Sequence, residues 1–253
     1  MLAACVALVV VKFGFFFEES EDYIDFADQT PVGKVPNGLD VLSNAGFLVA
    51  GVAAVLVVLR RMPDRRWATV WSWAPELLFG AGVILTTLGS AWFHLEPGDC
   101  PRLIWDRVPM TVAFTALTVA LVDDYFFRGV RGRLLVPFLG AGLLTVWVWW
   151  QSGWIGPYAV VQALPLATVF ATLIVGPRDS RVRALALAFA LYLVAKLLEL
   201  YDDEVWKALR KTVSGHTLKH LFAAAAVAAT IGGLRRSVST APRPEPWREA
   251  TGR

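Results

Sequence analysis

The chain contains three histidines, His94, His216 and His220. His216 and His220 lie four residues apart, so on an α-helix their imidazoles project from the same face. With a third imidazole from another helix they would form a three-histidine set, which in proteins binds zinc and leaves a fourth position for water. The pKa of such a bound water falls to about 7, which supplies hydroxide at neutral pH. A single histidine near a helix end is more often an interfacial residue, so the predicted zinc site depends on all three histidines meeting.

Two further polar residues lie beside these histidines in the sequence. Ser90 precedes His94 by four residues and shares its helical face, and Asp106 begins the next hydrophobic segment. A carboxylate near a metal-bound water can orient a ligand or accept the proton of the water. A serine hydroxyl can donate a hydrogen bond to the oxyanion of a tetrahedral intermediate. We therefore expect Ser90 and Asp106 to be catalytic residues of a hydrolytic site.

The elements that must position these residues are membrane-spanning helices. Hydrophobic residues make up 56% of the chain and charged residues 18%, and the mean hydropathy is +0.53. Apolar segments of about 17–21 residues are long enough to cross a bilayer as helices, which satisfy their own backbone hydrogen bonds. The predicted fold is an all-α integral membrane protein with a seven-transmembrane-helix bundle. The seven predicted spans cover residues 39–59, 77–94, 107–122, 134–150, 157–175, 183–200 and 217–234.

One domain accounts for most of the chain. We predict an acidic extracytoplasmic loop at 18–38, a transmembrane hydrolase domain at 39–234 and a cytoplasmic basic tail at 235–253. The N-terminal hydrophobic segment, 1–17, is either an extra span, an uncleaved anchor or an interfacial helix. Cys5 and Cys100 are expected to be independent residues and not a disulfide.

Arginine is concentrated in every second connection between the predicted spans. These arginines are Arg60, Arg61, Arg65, Arg66, Arg128, Arg131, Arg133, Arg178, Arg181 and Arg183, with five more in the tail. The positive-inside rule places these connections and the C-terminus in the cytoplasm. All five candidate site residues then fall at outer helix ends, toward the extracytoplasmic side. The basic pI of about 9.0 is thus explained by the arginine-rich cytoplasmic connections, and we expect no nucleic-acid partner.

The ordered motifs S-x-x-x-H at Ser90–His94, then Asp106, then H-x-x-x-H at His216–His220 resemble the alkaline ceramidase family. That family belongs to a seven-helix superfamily that includes progestin/adiponectin-type receptors, and the similarity covers residues 22 to 234. The resemblance implies an intramembrane zinc held by the three histidines, with the serine and the aspartate beside the bound water. It also implies a membrane-lipid substrate, a ceramide-like amide that is hydrolysed to a sphingoid base and a fatty acid.

The same resemblance implies a calcium site before the first span. Its candidate ligands are Asp25, Asp28, Asn37 and Asp40, whose carboxylate and amide oxygens are the hard ligands that calcium prefers. The sequence departs from the family pattern, because Asp28 stands where glutamate is usual and the spacing to Asn37 is altered. The alternative is a solvated acidic loop without a metal.

The other charged residues near the spans are expected to be structural. Lys196 and Glu199 have the spacing of a helical ion pair. Residues 202–204 are expected to form a solvated acidic loop, and Asp123 and Asp124 are expected to lie away from the site. Two other functions remain open: a seven-helix receptor or regulator with a structural metal, and a retinal-binding protein. The latter needs a lysine midway along the last span, whereas Lys219 lies about one turn in. No sequence signal indicates an oligomeric state.

Overall fold

The computed structural model describes residues 24–98 and 100–234, which form ten helices and no strand beyond one isolated bridge between Val32 and Val35. The predicted N-terminal hydrophobic segment (1–17) and the basic tail (235–253) lie outside the described residues. The helices are α1 (Gly38–Ser43), α2 (Ala45–Arg61), α3 (Trp67–Ser72), α4 (Ala74–Leu95), α5 (Cys100–Tyr125), α6 (Arg131–Ser152), α7 (Gly156–Val175), α8 (Ser180–Leu200), α9 (Asp202–Ala208) and α10 (Gly215–Gly233).

The fold is an all-helical bundle with several helices suited to a membrane. Five segments of the described chain are long and apolar enough to cross a bilayer: Gly38–Arg61, Ala74–Leu95, Pro101–Tyr125, Arg131–Ser152 and Gly156–Val175. A sixth span results if α8 and α9, which are bent by 83° at their junction, count as one. Each of the seven predicted spans falls on a described helix, but α10 is not among the five or six. Its first two turns carry His216, Lys219 and His220, which lower its hydropathy.

Small residues let the helix backbones approach closely at the end of the bundle that holds the histidines. A Cβ atom added at Gly89 of α4 would overlap the backbone carbonyl of Trp105 in α5. A Cβ atom at Gly215 of α10 would overlap the carbonyl of Leu198 in α8. Such contacts are typical of helix pairs in lipid, where close packing replaces the hydrophobic effect. They hold α4 against α5 and α10 against α8, which are the most extensive helix pairs of the fold.

A buried ion cluster joins four helices at the opposite end of the bundle. The guanidinium of Arg131, at the start of α6, donates to Glu76 of α4 at 2.8 Å and to Asp123 and Asp124 of α5, each at 2.8 Å. Arg181 of α8 adds a contact of 3.1 Å to Asp124. The side chains of Arg131 and Glu76 are only 8% and 0% exposed. Asp123 and Asp124 thus hold helices together far from the histidines.

Replacing Arg131 by methionine should destabilise the protein strongly. The substitution leaves buried carboxylates without their cation, a change that typically costs about 3–5 kcal/mol. Thermal unfolding of the purified protein in a neutral detergent would measure this as a lowered Tm.

The matched control is Lys207→Met, which removes an exposed ion pair with Asp203 whose side chains are 67% and 65% exposed. A pair of this kind contributes about 0.5 kcal/mol. Equal Tm values for Arg131→Met and Lys207→Met would contradict the role given to the cluster.

Candidate metal centre

The structure brings the three histidines together. His94 lies at the end of α4, and His216 and His220 lie in the first two turns of α10. All three are buried, and one ring nitrogen from each lies within 4.8 Å of the others. Among the described histidine, cysteine and acidic side chains, this is the only such group. The group could hold a metal ion.

One nitrogen pair has the separation that tetrahedral coordination requires. Nε2 of His94 and Nε2 of His216 are 3.3 Å apart. Two nitrogens bound at 2.0–2.1 Å to a tetrahedral zinc are about 3.3–3.4 Å apart. Nδ1 of His94 is buried and has no hydrogen-bond partner within the described residues. The donor chemistry and the spacing therefore fit a metal such as zinc.

Ser43, the last residue of α1, orients the imidazole of His220. Oγ of Ser43 lies 2.8 Å from Nδ1 of His220 and donates its own hydrogen to the carbonyl of Asp40, 3.1 Å away. When the hydroxyl hydrogen is used in the bond to Asp40, Nδ1 of His220 is the donor toward Ser43, since a hydroxyl has only one hydrogen. The tautomer with hydrogen on Nδ1 leaves the lone pair of Nε2 free to bind a metal.

The start of α10 is fixed by two aspartates from different parts of the chain. Ser214 caps the helix by accepting from the backbone N–H of Thr217 at 2.9 Å. The Asp40 carboxylate accepts from the hydroxyl of Ser214 at 3.2 Å and of Thr217 at 2.5 Å. The Asp202 carboxylate accepts from the backbone N–H of His216 at 2.7 Å. These bonds satisfy polar groups that would be costly to bury alone.

Asp202 differs from its predicted role. We expected 202–204 to be a solvated loop, but these residues begin α9, and Asp202 bridges the backbone of His216 and that of Ala27, 3.0 Å away. Only Asp203 and Glu204 are exposed. No local spacing indicates this contact, because Asp202 lies 14 residues before His216 and belongs to another helix.

Ser90 and Asp106 lie next to each other at the same level as the histidines. The Ser90 hydroxyl hydrogen-bonds to the Asp106 carboxylate, and both side chains are buried. The close approach of α4 and α5 at Gly89 permits this contact, because Gly89 and Trp105 each precede one of the two residues. Asp106 lies inside α5, which begins at Cys100, and does not open the helix as the sequence suggested.

Aromatic rings enclose the histidines. The Phe26 ring lies 4.8 Å from the ring of His94 and 4.3 Å from that of His216, centroid to centroid. On the other side, the Phe47 ring lies 5.8 Å from that of His220. The apolar walls lower the local dielectric constant and strengthen electrostatic interactions at the site.

An apolar cavity of about 220 Å³ begins at this polar group and follows α10. Ser90, Asp106 and the three histidines line its polar end. Its apolar wall includes Phe79, Val83, Leu117, Val169, Phe189 and Val227. From His216 to Thr230, the deepest lining residue of α10, the helix rises about 21 Å. The cavity therefore suits a ligand with a long alkyl chain and one polar end.

The four candidate calcium ligands have different surroundings. Asp28 and Asp40 are buried, and one carboxylate oxygen of each has no hydrogen-bond partner within the described residues. Asp25 is exposed and accepts from Gln29 at 3.4 Å. The Asn37 amide donates to the backbone carbonyl of His94 at 2.8 Å, so Asn37 supports the histidine site.

In comparisons with known proteins, the chain matches no protein-family model, no curated protein and no solved structure. The arrangement of the site residues is therefore the basis for assigning a function.

Replacing Ser43 by alanine should weaken metal binding while leaving the three ligands in place. The substitution removes the hydrogen bond that fixes the tautomer and orientation of His220, and losses of such partners typically lower metal affinity about 10–100-fold. Competition with a coloured zinc chelator would measure the affinity.

Ser152→Ala serves as the control, because the Ser152 hydroxyl is exposed and, among the described residues, bonds to the carbonyl of Val148 and the backbone N–H of Trp154. If Ser43→Ala and Ser152→Ala bind zinc as tightly as the unchanged protein does, Ser43 does not orient the ligand.

Proposed function

We propose that this chain is a zinc-dependent intramembrane amidase that hydrolyses ceramide-like lipids to a sphingoid base and a fatty acid. The observation that carries the proposal is the position of the three buried histidines, with Ser90 and Asp106, at the polar end of an apolar cavity. A lipid amide has the matching shape, with a long alkyl chain attached to one polar bond. The ordered motifs that resemble the alkaline ceramidases lead to the same chemistry.

Each polar residue has a role in this mechanism. His94, His216 and His220 would hold the metal, which supplies a hydroxide nucleophile at neutral pH. The Asp106 carboxylate accepts the proton of the attacking water and later delivers it to the amine that leaves. Ser90 bonds to Asp106 in the resting site and donates its hydroxyl to the oxyanion that forms at the amide carbon. The apolar wall holds the acyl chain and excludes bulk water.

The proposal includes seven transmembrane helices, with α10 as the last and the site toward the extracytoplasmic side. Support comes from the position of α10, which packs along α8 and α2. Its polar first turns contact buried partners, Asp40 and Asp202, that compensate for its low hydropathy. Arginine-rich connections lie at the opposite end, which by the positive-inside rule is cytoplasmic.

Calcium near Asp28 and Asp40 stays a prediction. It is supported by their unpartnered buried oxygens, since a cation would satisfy both. A cation there would stabilise the start of α10 through Asp40.

Hydrolysis of a fluorescently labelled ceramide in neutral-detergent micelles tests the amidase. We expect His216→Ala to lose both zinc and activity. Asp106→Asn should keep stoichiometric zinc and lose about 100-fold or more in kcat, because it removes the general base. Zinc content is measured by elemental analysis of each purified variant.

Asp203→Asn is the matched control, since this carboxylate is exposed and its ion pair within the described part of the chain is with Lys207, another exposed residue. It should retain full activity. Stoichiometric zinc with background hydrolysis in the unchanged protein would instead favour a receptor or regulator with a structural metal. Full activity of His216→Ala would exclude the zinc mechanism.

A further inference from the structure

The apolar cavity is closed at the end that lies farthest from the histidines. Its lining residues at that end include Phe79 of α4 and Thr230 of α10, whose side chains are 3% and 6% exposed. From Phe79 to His94, α4 rises about 22 Å, and from His216 to Thr230, α10 rises about 21 Å. Two helices from distant parts of the chain therefore place the floor of the cavity at the same depth.

Tightly packed side chains lie beneath this floor. Phe79 belongs to an apolar cluster, and the members of that cluster outside the cavity wall are at most 1% exposed: Ala116, Ala120, Leu121, Leu185 and Leu234. About one turn before Phe79 on α4, Glu76 binds Arg131 in the buried ion cluster. Because a packed protein interior has few voids, an alkyl chain that reaches Phe79 has no room to go deeper.

The wall that α10 contributes is narrow in side-chain volume between the histidines and the floor. After His220, the next lining residues on this helix are Ala223, Ala226 and Val227. Ala226 is buried, and α10 rises about 15 Å from His216 to this residue. Its methyl group leaves the width of the cavity to a ligand, whereas a large side chain at this position would close the cavity well above Phe79.

We propose that this closed cavity measures the acyl chain of the substrate, with Phe79 and Thr230 as the floor. An extended alkyl chain advances about 1.3 Å per carbon, because carbon–carbon bonds are about 1.5 Å long, so a depth of about 21 Å accommodates about 16 carbons. The selected substrates are then amides of straight-chain acids up to about this length. The alkyl chain of the sphingoid base stays in the bilayer, and its length is not selected. This chain-length limit rests on the amidase proposed above.

A series of ceramides with one sphingoid base tests the limit: N-dodecanoyl-, N-hexadecanoyl-, N-icosanoyl- and N-tetracosanoylsphingosine. The zinc-loaded protein is assayed in neutral-detergent micelles, whose interior solvates added methylene groups much as an apolar wall does. The first two ceramides should therefore react with similar kcat/KM. The last two should react about 10-fold more slowly or less, because their extra carbons must leave the cavity or displace packed side chains.

Two substitutions should move the limit in opposite directions. Ala226→Phe should lower the ratio of hexadecanoyl to dodecanoyl hydrolysis about 10-fold or more, and Phe79→Ala should raise the ratio of icosanoyl to hexadecanoyl hydrolysis. Each ratio is taken within one variant, so a partial loss of folded or zinc-loaded protein cancels. Ala225→Phe, at the exposed neighbouring position of α10, and Phe127→Ala, at a residue that is 66% exposed, are the controls and should leave both ratios unchanged.

Binding of the product acids gives a readout that does not require turnover. Tritiated hexadecanoate is bound to the protein in the same micelles and displaced by unlabelled dodecanoate, hexadecanoate or icosanoate. We expect icosanoate to compete about 10-fold more weakly than hexadecanoate does. In Ala226→Phe, assayed with tritiated dodecanoate, hexadecanoate should in turn compete about 10-fold more weakly than dodecanoate does.

The outcomes separate the two proposals. If no ceramide is hydrolysed but the acids show a length limit that Ala226→Phe lowers, the amidase fails and the measuring cavity stands. If all four ceramides react equally, or if neither substitution moves the limit, the amidase stands and the measuring cavity is overturned. A limit that follows the length of the sphingoid chain, in ceramides with a constant hexadecanoyl group, would place the base in the cavity and also overturn the proposal.

Discussion

The candidate metal centre depends on the hydrogen bonds that hold the first turn of α10 inside an apolar bundle. The Asp40 carboxylate accepts hydrogen bonds from the hydroxyls of Ser214 and Thr217, and the Asp202 carboxylate accepts one from the backbone N–H of His216. Without them, the helix would begin with unpaired polar groups among hydrocarbon-like neighbours, which is costly. With them, two imidazoles are presented at one depth and in one direction. The polar network around the site is thus the reason that a helix with two histidines and a lysine can be part of this bundle at all.

The buried ion cluster around Arg131 and the candidate metal centre lie at opposite ends of the bundle. At one end, the guanidinium of Arg131 binds carboxylates from two helices, α4 and α5. At the other end, close backbone contacts at glycines bring helices together: Gly89 packs α4 against α5, and Gly215 packs α10 against α8. The ion pair of Lys219 with Glu199 also joins α10 to α8 at this end. The cavity between the two ends is nearly all apolar, so it separates the two charged groups by a region of low dielectric constant.

The sequence predicts the parts of this structure that follow from a regular spacing of residues along the chain. Apolar segments of spanning length and the i, i+4 spacing of histidines were sufficient to predict the seven long helices and to bring His94 to the level of His216 and His220. The short helices α1, α3 and α9 were not predicted. Contacts between distant residues have no such signal. Ser43 and His220 are 177 positions apart, and Asp202 meets Ala27 across 175. The contact of Lys219 with Glu199 has no such signal either: helical spacing relates Lys219 to residues of its own helix, whereas Glu199 lies on another helix. The amide of Asn37 donates to the backbone carbonyl of His94, 57 positions away, and no local spacing indicates this contact.

Phe26 precedes the first span, yet its ring covers both His94 and His216. The segment that carries it is tied down by Asp202, which accepts from the backbone of the neighbouring Ala27. A metal ion bound at these histidines would be exchanged on this side only when the ring moves and that hydrogen bond opens. The residence time of the ion would then depend on the opening rate of this short segment as well as on the strength of coordination.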